Sequence, residues 1–344
     1  MDTAFAVQLL QFIGGLAALI VVHELGHFIA ARLCRVEVEE FGIGFPPRIT
    51  RLFKFSGTEF TLNWIPLGGF VRPKGENDPA VEGGLAAASP WVRLVVLFAG
   101  PAMNLLVGVA LGVMFFYSMG DWVTSKVLIQ QVADGSPAYD AGIQAGDQIM
   151  EVNGQVVDST EKLKALIAAN ANKQITLVYL RGDERVSVLL VPRDPPPPNQ
   201  GAIGVVLTHP RAPISLDLAF RRSVEGTAEN IRGILLLPFR LLSGQASPEE
   251  SRIVGYKGMF DIYQEVRSPL WFFMVISISL GVINLFPIPA LDGGRILLIL
   301  PEIMFRRRIP PRYENAIHLV GFTLLILLLI YVNLQDFINP IQIP

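Results

Sequence analysis

The sequence predicts a polytopic α-helical membrane protein with about four transmembrane helices, a membrane-associated β-hairpin element and one inserted β-rich α+β domain. Three observations carry that reading. Of 344 residues, 51% are hydrophobic and 17% charged, with a mean hydropathy of +0.46, whereas a soluble domain carries about 25% charged residues. Apolar stretches close to the roughly 20 residues needed to span a bilayer recur along the chain. Between them lies one long section where strand-like alternation and turn residues replace the apolar runs. The same composition excludes disorder, which needs a polar, highly charged chain. A net charge of −2 and a pI near 6.1 give no reason to expect a nucleic-acid partner. The single cysteine, Cys34, allows neither an internal disulfide nor a cysteine-based zinc cluster.

The first span runs from about Ala4 to Ala31 and carries His23, Glu24 and His27. No Lys or Arg precedes Arg32 and no small-residue cleavage site follows, so this stretch is expected to be a retained helix rather than a signal peptide. From Phe41 to Gly75, alternation and turn residues predict short hairpin strands, too apolar for a solvated loop and therefore set against the membrane face of the helices. They serve as a packed connector or as a guide for substrate. The second span covers Trp91 to Met119, the third Leu270 to Phe286, stopping at Pro287, and the fourth Ile317 to Val332. The expected domains are 1–120, 121–206, 207–268 and 269–344.

Within 121–206, Ala141-Gly142, Gly146-Asp147, Ile149 and Val152-Asn153-Gly154 stand at the spacing Ala-Gly-x-x-x-Gly-Asp-x-Ile-x-x-Val-Asn-Gly, which resembles a PDZ domain. Such domains capture extended peptides by adding a strand to a sheet edge; one that only blocks access to the membrane part would look the same in sequence. Gly201 to Val205 is the candidate carboxylate-gripping loop. Pro195 to Pro198 form a stiff linker. Ile214 to Leu242 mixes apolar and charged residues, its continuous apolar part is too short to span and Pro238 interrupts it, so 207–268 is expected to be an amphipathic surface linker.

Positive residues orient the spans. Arg32, Arg35, Arg48, Arg51, Lys54, Arg72 and Lys74 lie between the first two, and Arg295, Arg306, Arg307, Arg308 and Arg312 between the last two. Both loops are expected in the cytoplasm, with both termini and the section from Gly120 to Ser268 outside.

His23-Glu24-Leu25-Gly26-His27 is H-E-x-x-H on a helix. Residues i and i+4 share a face, so both imidazoles can bind one Zn²⁺ while the intervening Glu reaches its water. Counting back from Arg32, His23 lies about 13 Å inside the membrane. Ionisable groups at that depth mark function; a hydrogen-bonded His/Glu cluster between helices is the bland reading. A catalytic zinc needs a third ligand. His209 lies in the outer section and His318 opens the fourth span, and both fit poorly. Asp292 fits better, following the third span behind Pro287 and Pro289, where broken backbone at membrane depth is tolerated only if it is buried in protein or lines a wet cavity, as a site admitting water would require. Asp292 also suits a cap for a helix over Gly293 to Met304.

HELGH in the first span, the Pro-rich Leu291-Asp292-Gly293-Gly294 near the third, and an intervening PDZ domain resemble the site-2 protease family of intramembrane zinc metalloproteases, as a single-PDZ bacterial-type member. The resemblance covers essentially the whole chain. It implies His23, His27 and Asp292 as ligands of Zn²⁺ and Glu24 as general base and acid. It also implies polar roles for Asn284, and for Asn104 in Gly100-Pro101-Ala102-Met103-Asn104, both read as hydrogen-bonding the substrate backbone or the developing oxyanion. A helix–helix hydrogen bond is the other reading of Asn104. The implied partners are single-span membrane protein substrates and the lipid bilayer. The implied place is the bacterial plasma membrane, with the active site toward the cytoplasm and the PDZ domain filtering substrates. Two rivals use the same residues. One is a non-catalytic membrane metal-binding PDZ scaffold, against which Glu24 argues, since a structural site needs no base. The other is a metal transporter, for which inverted-repeat signs are missing.

Overall fold

The computed structural model describes residues 3–76, 78–198, 200–247, 252–266 and 268–340. The chain runs through α1 (Thr3–Leu33), β1 (Val38–Phe55), β2 (Thr58–Pro73) and α2 (Pro90–Met119). It continues through β3 (Asp121–Trp122), β4 (Val127–Val132), α3 (Pro137–Asp140), β5 (Gln148–Val152), β6 (Gln155–Val156), α4 (Thr160–Ala169), β7 (Ile175–Arg181), β8 (Glu184–Leu190), β9 (Val205–Thr208) and β10 (Arg211–Ala212). It ends with α5 (Leu216–Leu242), α6 (Tyr256–Glu265), α7 (Pro269–Asn284), α8 (Asp292–Phe305) and α9 (Pro311–Ile338). Two compact units result: Met1–Phe115 with Phe220–Pro344, and Phe116–Ala219.

In the first unit, α1, α2 and α9 are long and apolar enough to cross a membrane. The remaining expected span coincides with α7, whose 16 residues extend about 24 Å at 1.5 Å per residue, less than a hydrocarbon core of about 30 Å. α2 packs against its neighbours through a stripe of small residues, Gly100 toward α1 and Gly108 toward α7. Gly100, Asn104, Gly108 and Gly112 recur every fourth residue on α2 and are all buried. A Cβ at Gly100 would collide with the His27 ring, and one at Gly108 with the side chain of Ile278 on α7. Small side chains of this kind let membrane helices approach closely.

The expected short hairpin strands are two long ones, because each of β1 and β2 supplies two paired segments. Val38–Ile43 pairs with Gly69–Pro73, Arg48–Phe55 pairs with Thr58–Asn63, and Glu40–Ile43 also lies beside Glu59–Leu62. Phe28 of α1 meets Phe41 and Phe60 edge-on at 5.7 Å, which holds this element against the helix that carries the HELGH residues.

α5 corrects one expectation: the helix continues through Pro238. Proline removes one helical hydrogen bond but keeps a helix-compatible φ. α5 turns Ser223 and Thr227 inward, with Ser223 Oγ donating to the Val109 carbonyl at 2.7 Å. Ile231 and Ile234 pack against the cluster of Met274, Ile278 and Val282, whereas Leu235, Phe239 and Leu242 face outward.

In the second unit, one sheet has the strand order β8-β7-β5-β4-β9, with β6 on β5. Its core is continuous and apolar, built on Val127, Ile129, Ile149, Leu163, Ile175 and Leu177. The motif residues have structural jobs. Asn153 and Gly154 take positive φ in the β5–β6 turn, as an Asn-Gly hairpin turn requires. Asp147, buried, accepts from the Arg181 guanidinium and from the Gln144 amide, all at 2.8 Å. This PDZ-like unit runs past residue 206, because β9 closes the sheet against β4 and β10 pairs with β3.

Candidate metal centre

The site is built by α1 and the N-terminus of α8. One turn of α1 separates His23 from His27, so their rings meet edge-on at 4.8 Å. Asp292 is the first residue of α8, with Leu291 as the N-cap. Its carboxylate therefore turns to the histidines rather than capping its own helix. The Asp292 Oδ2 atom lies 3.1 Å from His23 Nε2 and 3.4 Å from His27 Nε2, and the two Nε2 atoms are 3.1 Å apart. Gly293 and Gly294 let α8 begin this close to the broken segment after α7: a Cβ at either would strike the carbonyls of Leu285 or Ile288.

Two imidazoles and one carboxylate are a donor set suited to a catalytic zinc, which takes three protein ligands and keeps a position open. Ligand atoms at the usual 2.0–2.1 Å from one tetrahedral ion lie about 3.3 Å apart, and all three separations here fall close to that. The residues fit the ion.

Around them is a cleft of about 500 Å³ whose lining includes His23, Glu24, His27, Gly69, Phe70, Val71, Asn284, Asp292 and Arg295. Glu24 sits between the two histidines in sequence and, in space, between them and β2: its Oε2 accepts the Val71 N–H at 3.0 Å. That amide is on the side of β2 turned toward α1, so the Glu24 carboxylate and a strand edge face the same space. Arg295, one turn beyond Asp292, pairs with Glu76 in the loop that follows β2. Asn284 reaches the cleft wall. Asn104 is 1% exposed, and its Nδ2 is 3.3 Å from His23 Nδ1.

Three supporting groups escaped the sequence. The His27 Nδ1–H is satisfied by the Val96 carbonyl at 2.7 Å, a backbone contact that no side-chain pattern reveals. His318, considered in the sequence only as a ligand, accepts the Ala290 N–H at 3.0 Å and so holds the segment that delivers Asp292. Three residues further along α9, Gly321 packs on Pro289 without room for a Cβ; this His-x-x-Gly spacing facing a Pro-rich segment is the signal that was available. Arg93 of α2 pairs with Glu302 of α8, tying the Asp292 helix to the second span.

The profile described as "Peptidase family M50" matches residues 11–328. A relative from Clostridium perfringens is 31% identical over 334 residues, covering 94% of this chain and 97% of its own length. One from Helicobacter pylori is 33% identical over 335 residues (91% and 94%), and one from Nostoc 33% over 356 (96% and 95%). Each is provisionally named a zinc metalloprotease. Among solved structures, the PDZ domain of an SdrC-like protein from Listeria monocytogenes matches at 24% identity and a TM-score of 0.22, covering 24% of this chain and 88% of that one. With the profile running from within the HELGH helix into the last span, and relatives aligned almost end to end, this chain belongs to peptidase family M50, the site-2 protease family.

Proposed function

We propose that this protein is an intramembrane zinc endopeptidase that hydrolyses peptide bonds within or next to transmembrane segments of single-span membrane proteins. One observation carries the reading: three ligand atoms from α1 and α8 lie within 4.8 Å of one another, with Glu24 in the same cleft, on a helix long enough to span. The provisional names of the relatives agree with it.

His23, His27 and Asp292 would hold the ion. Bound there, Zn²⁺ supplies Lewis acidity, polarising a carbonyl and bringing the pKa of a water toward about 7. Glu24 does the proton work. With Oε2 anchored by Val71 N–H, its other oxygen takes a proton from the attacking water and returns it to the leaving amine nitrogen. A helical substrate must unwind to offer its carbonyl. The edge of β2 around Gly69 would hold the unwound segment extended by strand pairing, and Asn284 would hydrogen-bond its backbone or the developing oxyanion; both residues line the cleft.

In the bacterial plasma membrane, α7 acts as a fourth span, ending short because the chain breaks at Pro287 to line the cleft before α8 begins. Both termini and the PDZ-like unit face out, the site lies toward the cytoplasm, and the PDZ-like unit filters substrates by what remains of their outer domains. The test is full-length protein with Glu24→Gln, assayed for zinc content and for cleavage of a single-span substrate. The expected result is zinc retained and cleavage lost by at least about a hundredfold, the lower end for a positioned acid–base group. Equal behaviour of variant and parent, whether both cleave or both bind zinc without cleaving, refutes the proposal and in the second case favours a scaffold.

A further inference from the structure

An imidazole that ligates through Nε2 must carry its proton on Nδ1, and what accepts that proton sets the tautomer and the ring's orientation. For His27 the acceptor is the Val96 carbonyl. For His23 the neighbour of Nδ1 is the Asn104 amide, placed with Nδ2 at 3.3 Å, while Oδ1 of the same amide is buried without a hydrogen-bond partner. The two amide atoms exchange places by a half-turn at the end of the side chain. The half-turn merely swaps which amide atom lacks a partner, so by itself it is close to neutral. The proton on His23 decides. With the proton on Nε2, Asn104 Nδ2 donates to Nδ1. With Nε2 given to a metal, Oδ1 accepts the Nδ1–H.

We infer that Asn104 is a positioning residue for the metal: by accepting the His23 Nδ1–H it holds that imidazole in the ligating tautomer, as the Val96 carbonyl does for His27. The inference rests on the zinc reading above and departs from the sequence-based role of Asn104 against substrate. Asn104 is absent from the cleft lining. It is enclosed between Gly100 and Gly108 on the buried stripe of α2, and Ser277 of α7 donates to its backbone carbonyl at 2.8 Å. The backbone at Asn104 is thus held from α7, and its side-chain amide is aimed at His23 of α1.

The experiment measures Zn²⁺ affinity of the full chain by chelator competition, without recourse to proteolysis, for the parent, Asn104→Leu and Asn104→Asp. Both replacements are close in size to Asn; Leu offers no acceptor, and Asp offers one that suits only the ligating tautomer. Loss of about 10–100-fold in Asn104→Leu is expected, the range for removing a partner of a ligating histidine, with Asn104→Asp within about threefold of the parent. Asn104→Leu binding as tightly as the parent would overturn the inference and return the residue to a substrate or helix-packing role. So would Asn104→Asp binding no better than Asn104→Leu, because packing rather than the acceptor would then matter. A parent that binds no zinc sinks the zinc reading itself, and this inference with it.

Discussion

The two units of this protein fill their interiors differently: the helical unit buries polar and glycine residues beside apolar clusters such as Phe12, Leu16 and Phe272. In Phe116–Ala219, Val127, Ile149, Leu163, Ile175 and Leu177 are at most 1% exposed, as expected where apolar burial drives folding in water. In the long helices of the other unit, Asn104, Ser277, His23 and the Gly100-Gly108-Gly112 stripe are buried, whereas Leu10, Leu106, Leu319 and Leu324 are 61% or more exposed. Lipid is as apolar as leucine, so nothing drives such side chains inward; close packing of small residues and hydrogen bonds between helices must assemble the bundle instead. The chemistry follows from this. A bundle that admits glycine, asparagine and serine to its interior beside its apolar residues gives histidine, glutamate and aspartate a place to meet.

The sharpest way to break that contrast is to add a single methyl group to the stripe. Gly100→Ala places a Cβ against the His27 ring, whose Nδ1 is already held by Val96. The ring has to leave its acceptor, and zinc affinity should fall by about 10–100-fold, as when a ligand's hydrogen-bond partner is lost. Chelator competition reads this directly. The control is Gly233→Ala on α5, where a Cβ meets nothing within 4 Å and affinity should not move. Equal affinities in both variants would mean that close packing at Gly100 does not hold the site.

A matched pair of leucines tests the other half. Leu177→Ala in the PDZ-like core should destabilise that unit by about 2–5 kcal/mol, the usual range for a buried leucine. Leu324→Ala on α9, 61% exposed, should change stability by less than about 0.5 kcal/mol, like other surface substitutions. Denaturant titration resolved by hydrogen exchange separates the two, and a large effect from Leu324 would show that α9 buries this face against something other than lipid.

The cluster of His23, His27 and Asp292 was legible because ionisable residues at i and i+4 inside an apolar helix are costly unless they bind something, and because Asp292 stands where two prolines break the chain. The PDZ-like signature was legible because Asn153-Gly154 and Asp147 are demanded by local geometry. What the sequence hid is relational. Asn104 reads as a polar residue in a span, but not as one aimed at His23. His318 looks like a poor ligand, which hides its bond to the Ala290 amide. Pro238 looks like a stop, since nothing local tells that Ser223 and Thr227 dock the helix that contains it. The PDZ-like unit ends later than composition suggests because β9 joins it only through pairing with β4, far upstream in the chain.

The β1–β2 element sharpens the comparison, since it has to belong to one class or the other. It buries Glu40, Thr58, Thr61 and Asn63 beside Val38 and Phe41 and exposes Phe53, Phe55 and Trp64, a mixed interior like that of the helices, in strand form. Burial alone would raise the Glu40 pKa, but hydrogen bonds from Thr61 and Arg48 and the charges of Arg48 and Arg72 outweigh it, and hold the carboxyl below its ordinary 4.5. A carboxylate with a depressed folded pKa contributes stability above its unfolded pKa and loses it as pH falls through the folded value. The loss should therefore begin near pH 4.5 and finish below it. Thr61 donates at 2.8 Å and Arg48 at 2.7 Å, yet Arg48 and Arg72 are themselves about half exposed, which discounts the electrostatic part. Glu40→Gln should accordingly cost the element about 1–2 kcal/mol at pH 7, in the range for hydrogen bonds to a charged group after that discount. Amide exchange along Val38–Ile43 and Gly69–Val71 in the full-length protein, followed from pH 7 to below pH 4.5, checks both points. The parent should lose protection on acidification, and the variant should start lower and change little. If the variant keeps the parent's acid slope, the charge cluster is not what orders these strands, and the element sides with the PDZ-like unit, held by its phenylalanine contacts instead.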